Sequence, residues 1–278
     1  MKLGIALSGG GIRGIAHAGV LKALEENEIK PQIISGTSSG SIVATLYALG
    51  YSPYYIYILF KRYAKEICGL SGMPIISSIS SFIVNKKVNI SGINDGKKLE
   101  KAFNSLAGKK GIKKVSEIEM PLLIPTVDIT KSKEFVCSSI KSRKYIGDIE
   151  VGKAVYASSA FPVVFKPCKY RNHIFVDGGV LNNIPVKILK ENGADIVIAV
   201  NFDSDTVDNE SNIMDIIMKT LDIMGNKVSD EQLDASDFKI TIPSDGTGLL
   251  DVDNIDYCYN SGYKETLKHM EEIKNLTF

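Results

Sequence analysis

The sequence of 278 residues contains no tryptophan, three histidines and four cysteines. The cysteines are widely separated and form no C-x-x-C pair; they are Cys68, Cys137, Cys168 and Cys258. The histidines are equally far apart; they are His17, His173 and His269. Because this pattern offers neither zinc-ligand spacing nor a disulfide framework, we expect reduced thiols and no bound metal.

An excess of charge of one sign is also lacking. Lysine and arginine together number 33 and aspartate and glutamate 32, so the formal net charge is +1. This balance gives no field that would attract nucleic acid, and we expect no nucleic-acid partner. No apolar run is long enough to span a membrane, and the amino-terminal apolar stretch is too short for a signal peptide. We therefore expect a cytoplasmic protein whose contact with a membrane is at most peripheral.

Short apolar segments alternate with helical patterns along the first 200 residues. Residues 3–7 predict a buried strand, and apolar residues at every fourth position from Ile12 to Leu24 predict a helix after it. The alternation predicts an α/β fold with three layers (α/β/α) and a mostly parallel central sheet. Since no repeat or linker divides the chain, we expect one domain over 1–278. Its motif-bearing core spans about 3–203, and a helical carboxy-terminal extension spans about 204–278.

A glycine-rich loop, "GIALSGGGIRGIAHAGVL", occupies residues 4–21. Gly9, Gly11 and Gly14 have the G-x-G-x-x-G spacing typical of dinucleotide binding. That function also needs an acidic residue at the end of the second strand, where residues 35–36 read Ser-Gly. A Walker A loop would end in Gly-Lys-Ser or Gly-Lys-Thr, whereas this loop ends in Arg-Gly. The sequence therefore disfavours a bound nucleotide.

The segment "GTSSG" at residues 36–40 lies between the second predicted strand and the second predicted helix. G-x-S-x-G in that position is typical of a nucleophile elbow, in which a sharp turn strains the serine backbone and exposes its hydroxyl. The amide of Ser39 and the dipole of the following helix can then stabilise an oxyanion. We expect Ser38 to be a nucleophile rather than part of an ordinary turn.

No histidine is well placed to activate Ser38. His17 lies one turn into the first helix, where a packed side chain is expected, and His269 lies in a polar helix near the carboxy terminus. His173 shares a strand with Asp177, but four residues of extended chain separate the two by about 13 Å. In addition, only two strands precede Ser38, fewer than an α/β-hydrolase requires.

Four segments, in this order, resemble the patatin-like phospholipase family. They are "GGGIRG" (9–14), "GTSSG" (36–40), "ASSAFPVVFKP" (157–167) and "VDGGVLNNIPV" (176–186). The resemblance extends over residues 3 to about 203. It implies a catalytic dyad without histidine, in which Ser38 is the nucleophile and Asp177 is the base. It implies no metal ion and no organic cofactor.

A carboxylate with an ordinary pKa of about 3.9 is a poor base toward a serine hydroxyl, so such a dyad needs a strong oxyanion hole. We expect the amides of Gly9, Gly10 and Gly11 to converge beside Ser38, together with the amide of Ser39. The remaining candidates support the substrate or the loops; they are Arg13, Gly14, Gly36, Gly40, Gly178, Gly179 and Asn183. Two interpretations stay open for Arg13. In the first it has a functional role, which is to orient the loop or to attract a phosphate head group. In the second it forms a salt bridge that holds the loop.

The expected activity is hydrolysis of carboxylic ester bonds of lipids through an acyl-Ser38 intermediate, with Asp177 as general base and then general acid. One alternative is an esterase or thioesterase that acts on a small soluble substrate. The other is a catalytically silent protein that binds lipid or protein.

Residues 51–114 combine aromatic and aliphatic residues with nine lysines against two acids between 84 and 114. Tyrosines and lysines of this kind suit the surface of an anionic membrane. One interpretation is a lid over Ser38 that docks on a lipid surface and makes peripheral membrane contact. The other is that the aromatics are core residues and the lysines a solvated face.

Overall fold

The structure is a computed structural model that describes residues 1–67, 94–162, 164–203, 220, 223–225 and 229–277. The stretch 69–87, which belongs to the segment that one interpretation makes a lid, lies outside the described residues, and Lys86 and Lys87 are part of it. Among the helices that are described, none has the length and apolar character needed to cross a lipid bilayer.

A mixed sheet forms the centre of the molecule. Its strands are β1 (Leu3–Leu7), β2 (Ile33–Gly36), β3 (Leu122–Asp128), β4 (Lys133–Ser138), β5 (Cys168–Tyr170), β6 (His173–Asp177), β7 (Ile196–Phe202) and β8 (Phe238–Ile242). The order across the sheet is β5-β6-β3-β2-β1-β7-β8, with β4 also paired to β3. The pairs from β3 through β2, β1 and β7 to β8 are parallel, whereas β4, β5 and β6 pair antiparallel. The predicted α/β fold is confirmed, with its antiparallel part confined to one end of the sheet.

Helices cover both faces of the sheet, as the alternation predicts. They are α1 (Ala16–Glu26), α2 (Ser39–Ala48), α3 (Pro53–Arg62), α4 (Ala64–Ile67), α5 (Lys97–Gly108), α6 (Val151–Ser158), α7 (Val186–Glu191), α8 (Ile255–Lys268) and α9 (Met270–Thr277). On one face, α1, α2, α5, α6 and α8 enclose the larger core with Ile5, Leu7 and Ile34. On the other face, α7 packs on Ala6 and Ile33. This alternation of side chains along β1 is what a strand buried on both faces requires.

Two strands end opposite each other along one edge of β3. Leu123 of β3 pairs with Ser35 of the parallel strand β2. Three residues further along, Thr126 pairs with Asp177 of the antiparallel strand β6. Because β4 occupies the other edge of β3, β2 and β6 share this edge and run toward each other. Their carboxy-terminal ends therefore meet beside β3, and this meeting point brings the residues after β2 to the end of β6.

Residues beyond 203 contribute to the same sheet and core. The strand β8 pairs with β7, and α8 packs against α1. Two glycines allow a close approach of these helices. A Cβ atom at Gly19 would lie 2.1 Å from the Tyr259 carbonyl oxygen, and one at Gly262 would lie 2.1 Å from the Ala16 carbonyl oxygen. The part of the chain beyond 203 thus adds both a strand and helices to the fold.

The helix α3 divides its apolar residues between core and surface. It begins at Pro53, because proline is favoured in the first turn of a helix, and Ser52 is the amino-terminal cap. Phe60 is buried and packs into the main core, as the core interpretation of these aromatic residues predicts. Tyr54 and Ile58 are exposed, by 58% and 38% respectively. The exposed face of α3 is therefore tyrosine-rich.

Candidate active site

Ser38 lies between β2 and α2 with a strained backbone. Its φ of 53° and ψ of −124° place it in a region that residues other than glycine rarely adopt and that costs about 1–3 kcal/mol. It occupies the position that caps α2, yet its side chain makes no capping hydrogen bond. The predicted elbow geometry is present, with the serine hydroxyl at the amino terminus of a helix.

Glycine is required on both sides of Ser38 because backbone segments approach closely there. A Cβ atom at Gly36 would lie 2.3 Å from the Gly40 carbonyl oxygen, and one at Gly40 would lie 2.3 Å from the Leu7 carbonyl oxygen. A Cβ atom at Gly14 would lie 2.3 Å from Ser39 Oγ. These three glycines therefore pack the elbow against β1 and the glycine loop, behind the surface that faces solvent.

Asp177 is 1% exposed at the end of β6. Burial raises the pKa of its carboxyl to about 7, while the neighbouring Ser38 hydroxyl and the Gly179 amide act in the opposite direction. The Gly179 amide donates to Oδ1 at 2.8 Å. Within the described part of the chain, Oδ2 accepts no hydrogen bond of normal geometry. Gly178 packs directly on β3, since a Cβ atom there would lie 2.4 Å from the Pro125 carbonyl oxygen.

The glycine loop passes beside Ser38, and its amides differ in what they bind. The Gly9 amide donates to Asn183 Oδ1 at 3.0 Å and to the Asn183 carbonyl oxygen at 3.3 Å. Its predicted place in an oxyanion hole is therefore taken by this asparagine. The amides of Gly10, Gly11 and Ser39 have no hydrogen-bond partner among the described residues. At Gly11 the positive φ of 57° favours glycine, and a Cβ atom would collide with the Leu249 carbonyl oxygen.

Arg13 is buried, with 3% of its surface exposed. Its Nε donates to the Gly10 carbonyl oxygen at 3.4 Å, and its guanidinium lies over the Phe202 ring at 5.3 Å from the centroid. The same ring supports Gly10, where a Cβ atom would lie 2.6 Å from Phe202 Cε2. These contacts hold the Arg13 side chain against the glycine loop, and both interpretations of its role stay predictions.

All three histidines lie in the described part of the chain, and each has its contacts elsewhere. His17 is buried, donates from Nε2 to the Ser8 carbonyl oxygen at 2.8 Å, and has its pKa lowered by burial to about 4. His173 Nδ1 lies 2.7 Å from Asp128 Oδ2, at the opposite end of β6 from Asp177. His269 lies beside Glu265 and Glu272. Among the described residues that line the cavity with Ser38, Asp177 is thus the titratable side chain.

One cavity brings most of the predicted site residues together. They are Gly9, Gly10, Gly11, Ser38, Ser39, Asp177, Gly179 and Asn183. Arg13, Gly14, Gly36, Gly40 and Gly178 are not among the residues that line it and lie behind its wall.

The rest of the cavity wall is mainly apolar and was not predicted from the sequence. Its described residues are Ile42, Ile67, Ser159, Phe161, Val164, Phe165, Val180, Met224, Gly225, Leu249 and Leu250. Phe161, Val164 and Phe165 belong to the "ASSAFPVVFKP" segment, so the family resemblance pointed to this region without giving its role. Leu249 and Leu250 follow β8, in a part of the sequence with no motif that could have identified them.

Comparison with known proteins identifies several relatives. The chain is 30% identical over 204 residues to the lysophospholipase NTE1 of Scheffersomyces stipitis, covering 73% of this chain and 12% of that protein. It is 32% identical over 190 residues to the probable lipid hydrolase 463L of Invertebrate iridescent virus 6, covering 66% and 62% respectively. The chain therefore spans less than two thirds of either relative.

Among solved structures, VipD from Legionella pneumophila has a similar fold. The TM-score is 0.54 with 18% sequence identity, covering 98% of this chain and 67% of that one. Residues 5–190 match the patatin-like phospholipase family. This match includes the elbow at Ser38, the glycine loop and the end of β6. The chain belongs to the patatin-like phospholipase family.

Proposed function

We propose that this protein is a serine acyl hydrolase that cleaves carboxylic ester bonds of lipids through an acyl-Ser38 intermediate. The observation that carries the proposal is the pairing of a strained Ser38 with a buried carboxyl whose pKa is raised to about 7. An ordinary aspartate would be almost fully ionised at neutral pH and weakly basic. The raised pKa of Asp177 makes it a better proton acceptor near the operating pH.

In the proposed reaction, Ser38 Oγ attacks the ester carbonyl carbon while its proton passes to Asp177 Oδ2. The oxyanion of the tetrahedral intermediate accepts hydrogen bonds from the amides of Gly10, Gly11 and Ser39, which are the donors without another described partner. Collapse of the intermediate breaks the ester C–O bond, and Asp177 returns the proton to the leaving alcohol. Water then attacks the acyl-enzyme, with Asp177 again acting first as base and then as acid.

The apolar wall of the cavity supports a lipid acyl chain as the group carried by Ser38. Phe161, Phe165 and Leu249 are among its side chains, and Gly10, Gly11 and Ser39 line the same cavity as Ser38. An acyl chain would remove this apolar surface from water, which is favourable by about 25 cal/mol per Å². The relatives named lysophospholipase and probable lipid hydrolase agree with a lipid ester. Peripheral contact with a membrane through the exposed face of α3 and the lysines of α5 is part of the same proposal.

The experiment that tests this function measures fatty acid released from lysophospholipid micelles, from diacyl phospholipid vesicles and from an uncharged short-chain ester. We expect the wild-type protein to act on at least one lipid, and Ser38→Ala to lose that activity while keeping its circular dichroism spectrum. Activity confined to the soluble ester would indicate a small-molecule esterase. No activity on any substrate, with no covalent labelling of Ser38, would indicate a silent binding protein.

A further inference from the structure

The carboxy-terminal end of α6 contacts the backbone of both Ser38 and Asp177. Ser158 and Ser159 end this helix, and the chain continues through Ala160. These residues belong to the "ASSAFPVVFKP" segment, to which the reaction described above assigns no role.

Ser158 binds the backbone amide of Ser38, and Ser159 binds its backbone carbonyl group. Ser158 Oγ accepts a hydrogen bond from the Ser38 amide at 3.1 Å. Ser159 Oγ donates to the Ser38 carbonyl oxygen at 3.2 Å. A residue with positive φ persists only where its surroundings hold it there. Ser41 of α2 also binds the Ser38 carbonyl oxygen, so α2 helps to hold that group. The Ser38 amide is held by Ser158, which lies outside α2.

The next residue binds the base. The Ala160 carbonyl oxygen accepts a hydrogen bond from the Asp177 amide at 3.1 Å. Ser158 and Ala160, two positions apart in the chain, therefore link the backbone of the proposed nucleophile to the backbone of its proposed base. A separate contact fixes this end of α6 on β3, since Thr126 Oγ1 donates to the Ala157 carbonyl oxygen at 3.0 Å.

The helix that carries these residues is itself closely packed. A Cβ atom at Gly152 of α6 would lie 2.0 Å from the Glu100 carbonyl oxygen of α5, and Asn104 Oδ1 accepts a hydrogen bond from the Gly152 amide at 2.8 Å. Ser158 is fully buried and Ser159 is 5% exposed. Displacement of the two serines would therefore require movement of a packed helix.

We propose that residues 158–160 form a positioning segment that holds Ser38 in its strained conformation and sets its separation from Asp177. The proposal rests on the function proposed above, since the separation matters only if these two side chains exchange a proton. Ser158 and Ser159 act through the backbone of Ser38 and are positioning residues. A shift of about 1 Å between reacting groups can reduce a rate by about 100-fold.

The test compares Ser158→Ala and Ser159→Ala with the conservative variant Ser159→Thr, which keeps a hydroxyl donor. Turnover of an uncharged short-chain ester gives kcat and KM separately. We expect each alanine variant to lower kcat by about 10- to 100-fold with little change in KM, because reacting groups lose alignment while the apolar wall stays intact. Ser159→Thr should recover most of kcat.

Ser138→Ala is the matched control. Ser138 is also fully buried, and its hydroxyl donates to the Leu122 carbonyl oxygen at 2.7 Å, but it does not line the cavity. We expect this variant to keep the wild-type kcat. If Ser158→Ala fails to fold, the Ser159 pair of variants decides the question.

Unchanged kcat in both alanine variants would overturn the positioning role. The same would follow if Ser159→Thr or Ser138→Ala lost as much activity as Ser159→Ala. Ser38→Ala separates this outcome from failure of the proposed function. If Ser38→Ala loses activity while the Ser158 and Ser159 variants keep full activity, the positioning role is refuted and the proposed function is not.

Discussion

Asn183 Oδ1 accepts a hydrogen bond from the Gly9 amide at 3.0 Å and so joins two loops whose residues lie 174 positions apart in the sequence. One loop carries two of the proposed oxyanion donors, Gly10 and Gly11, and the other follows Asp177. A Cβ atom at Gly179 would lie 3.1 Å from both Asn183 Oδ1 and Asp177 Oδ1, so the asparagine also lies near the base. Asn183 thus connects the two halves of the candidate site.

This contact predicts the effect of replacing Asn183. Asn183→Ala should lower kcat by about tenfold or more, because the glycine loop loses its tie and its remaining amides lose alignment. Asn183→Asp should keep an acceptor for Gly9 but disfavour the oxyanion and the ionised form of Asp177 through like charge. Its pH–rate profile should therefore shift to higher pH. Both variants are checked by kcat and KM on a soluble ester as a function of pH.

Gln32→Ala is a close control for Asn183→Ala, because Gln32 Oε1 also accepts a hydrogen bond from a backbone amide, that of Leu3 at 2.6 Å. It does not line the cavity. Equal loss of kcat in the two variants would mean that stability, and not alignment of the loop, explains the effect at Asn183.

The raised pKa of Asp177 predicts the pH dependence of hydrolysis. Asp177 must be ionised to accept the Ser38 proton, and burial raises the pKa of its carboxyl to about 7. We expect kcat/KM for an uncharged ester to rise with pH, with a midpoint near 7 and a plateau at higher pH. His17 cannot produce this midpoint, because burial lowers its pKa to about 4. A midpoint near 4, or one that disappears in His173→Asn or His269→Asn, would contradict the assignment to Asp177.

The same carboxyl predicts a stability change in Asp177→Asn. In the unfolded chain this group ionises near pH 4, whereas in the folded protein it stays protonated until about pH 7. The wild-type protein therefore loses stability from this group as pH rises from about 4 to about 7. An asparagine side chain has no charge to bury, so at pH 8 the free energy of unfolding of Asp177→Asn should exceed that of wild type by up to roughly 4 kcal/mol. Denaturant unfolding measures the difference, which should shrink at pH 5; an equal difference at both values would refute the linkage.

Contact with an anionic membrane predicts a charge-dependent vesicle affinity. Lys98 and Lys101 are exposed on α5, and each lysine near an anionic surface is worth about 1 kcal/mol. Lys98→Gln with Lys101→Gln should weaken binding to anionic vesicles, and added salt should do the same. Turnover of a short soluble ester should not change. Lys30→Gln with Lys264→Gln, at exposed positions outside α5, is the control. Equal weakening by both pairs would argue against a specific docking face.

Local geometry was the part of the site that the sequence could predict. The glycines on either side of Ser38 predict the turn, because a close approach of backbone segments requires residues without a side chain. The alternation of strands and helices likewise predicts the layers, since each element buries one face or both. The catalytic roles of Ser38 and Asp177 stay predictions, as does the single-domain organisation.

Long-range relationships were the part that could not be predicted. No local pattern indicates that β6 runs antiparallel and meets β2 at the edge of β3, because pairing partners depend on the whole topology. The glycine spacing likewise does not indicate that Asn183 accepts a hydrogen bond from the Gly9 amide. Leu249 enters the cavity wall from beyond β8, and an apolar side chain in a loop has no distinguishing signal.

The proposed mechanism makes Ser38 a nucleophile that Asp177 activates without a histidine. Labelling by a fluorophosphonate probe, followed by intact mass and peptide mapping, tests this pair of roles. We expect one adduct per chain on Ser38, none in Ser38→Ala, and labelling at least about 100-fold slower in Asp177→Asn. His173→Asn and His269→Asn should label at the wild-type rate. An adduct on another residue in the wild type, or a histidine variant as slow as Asp177→Asn, would contradict this mechanism.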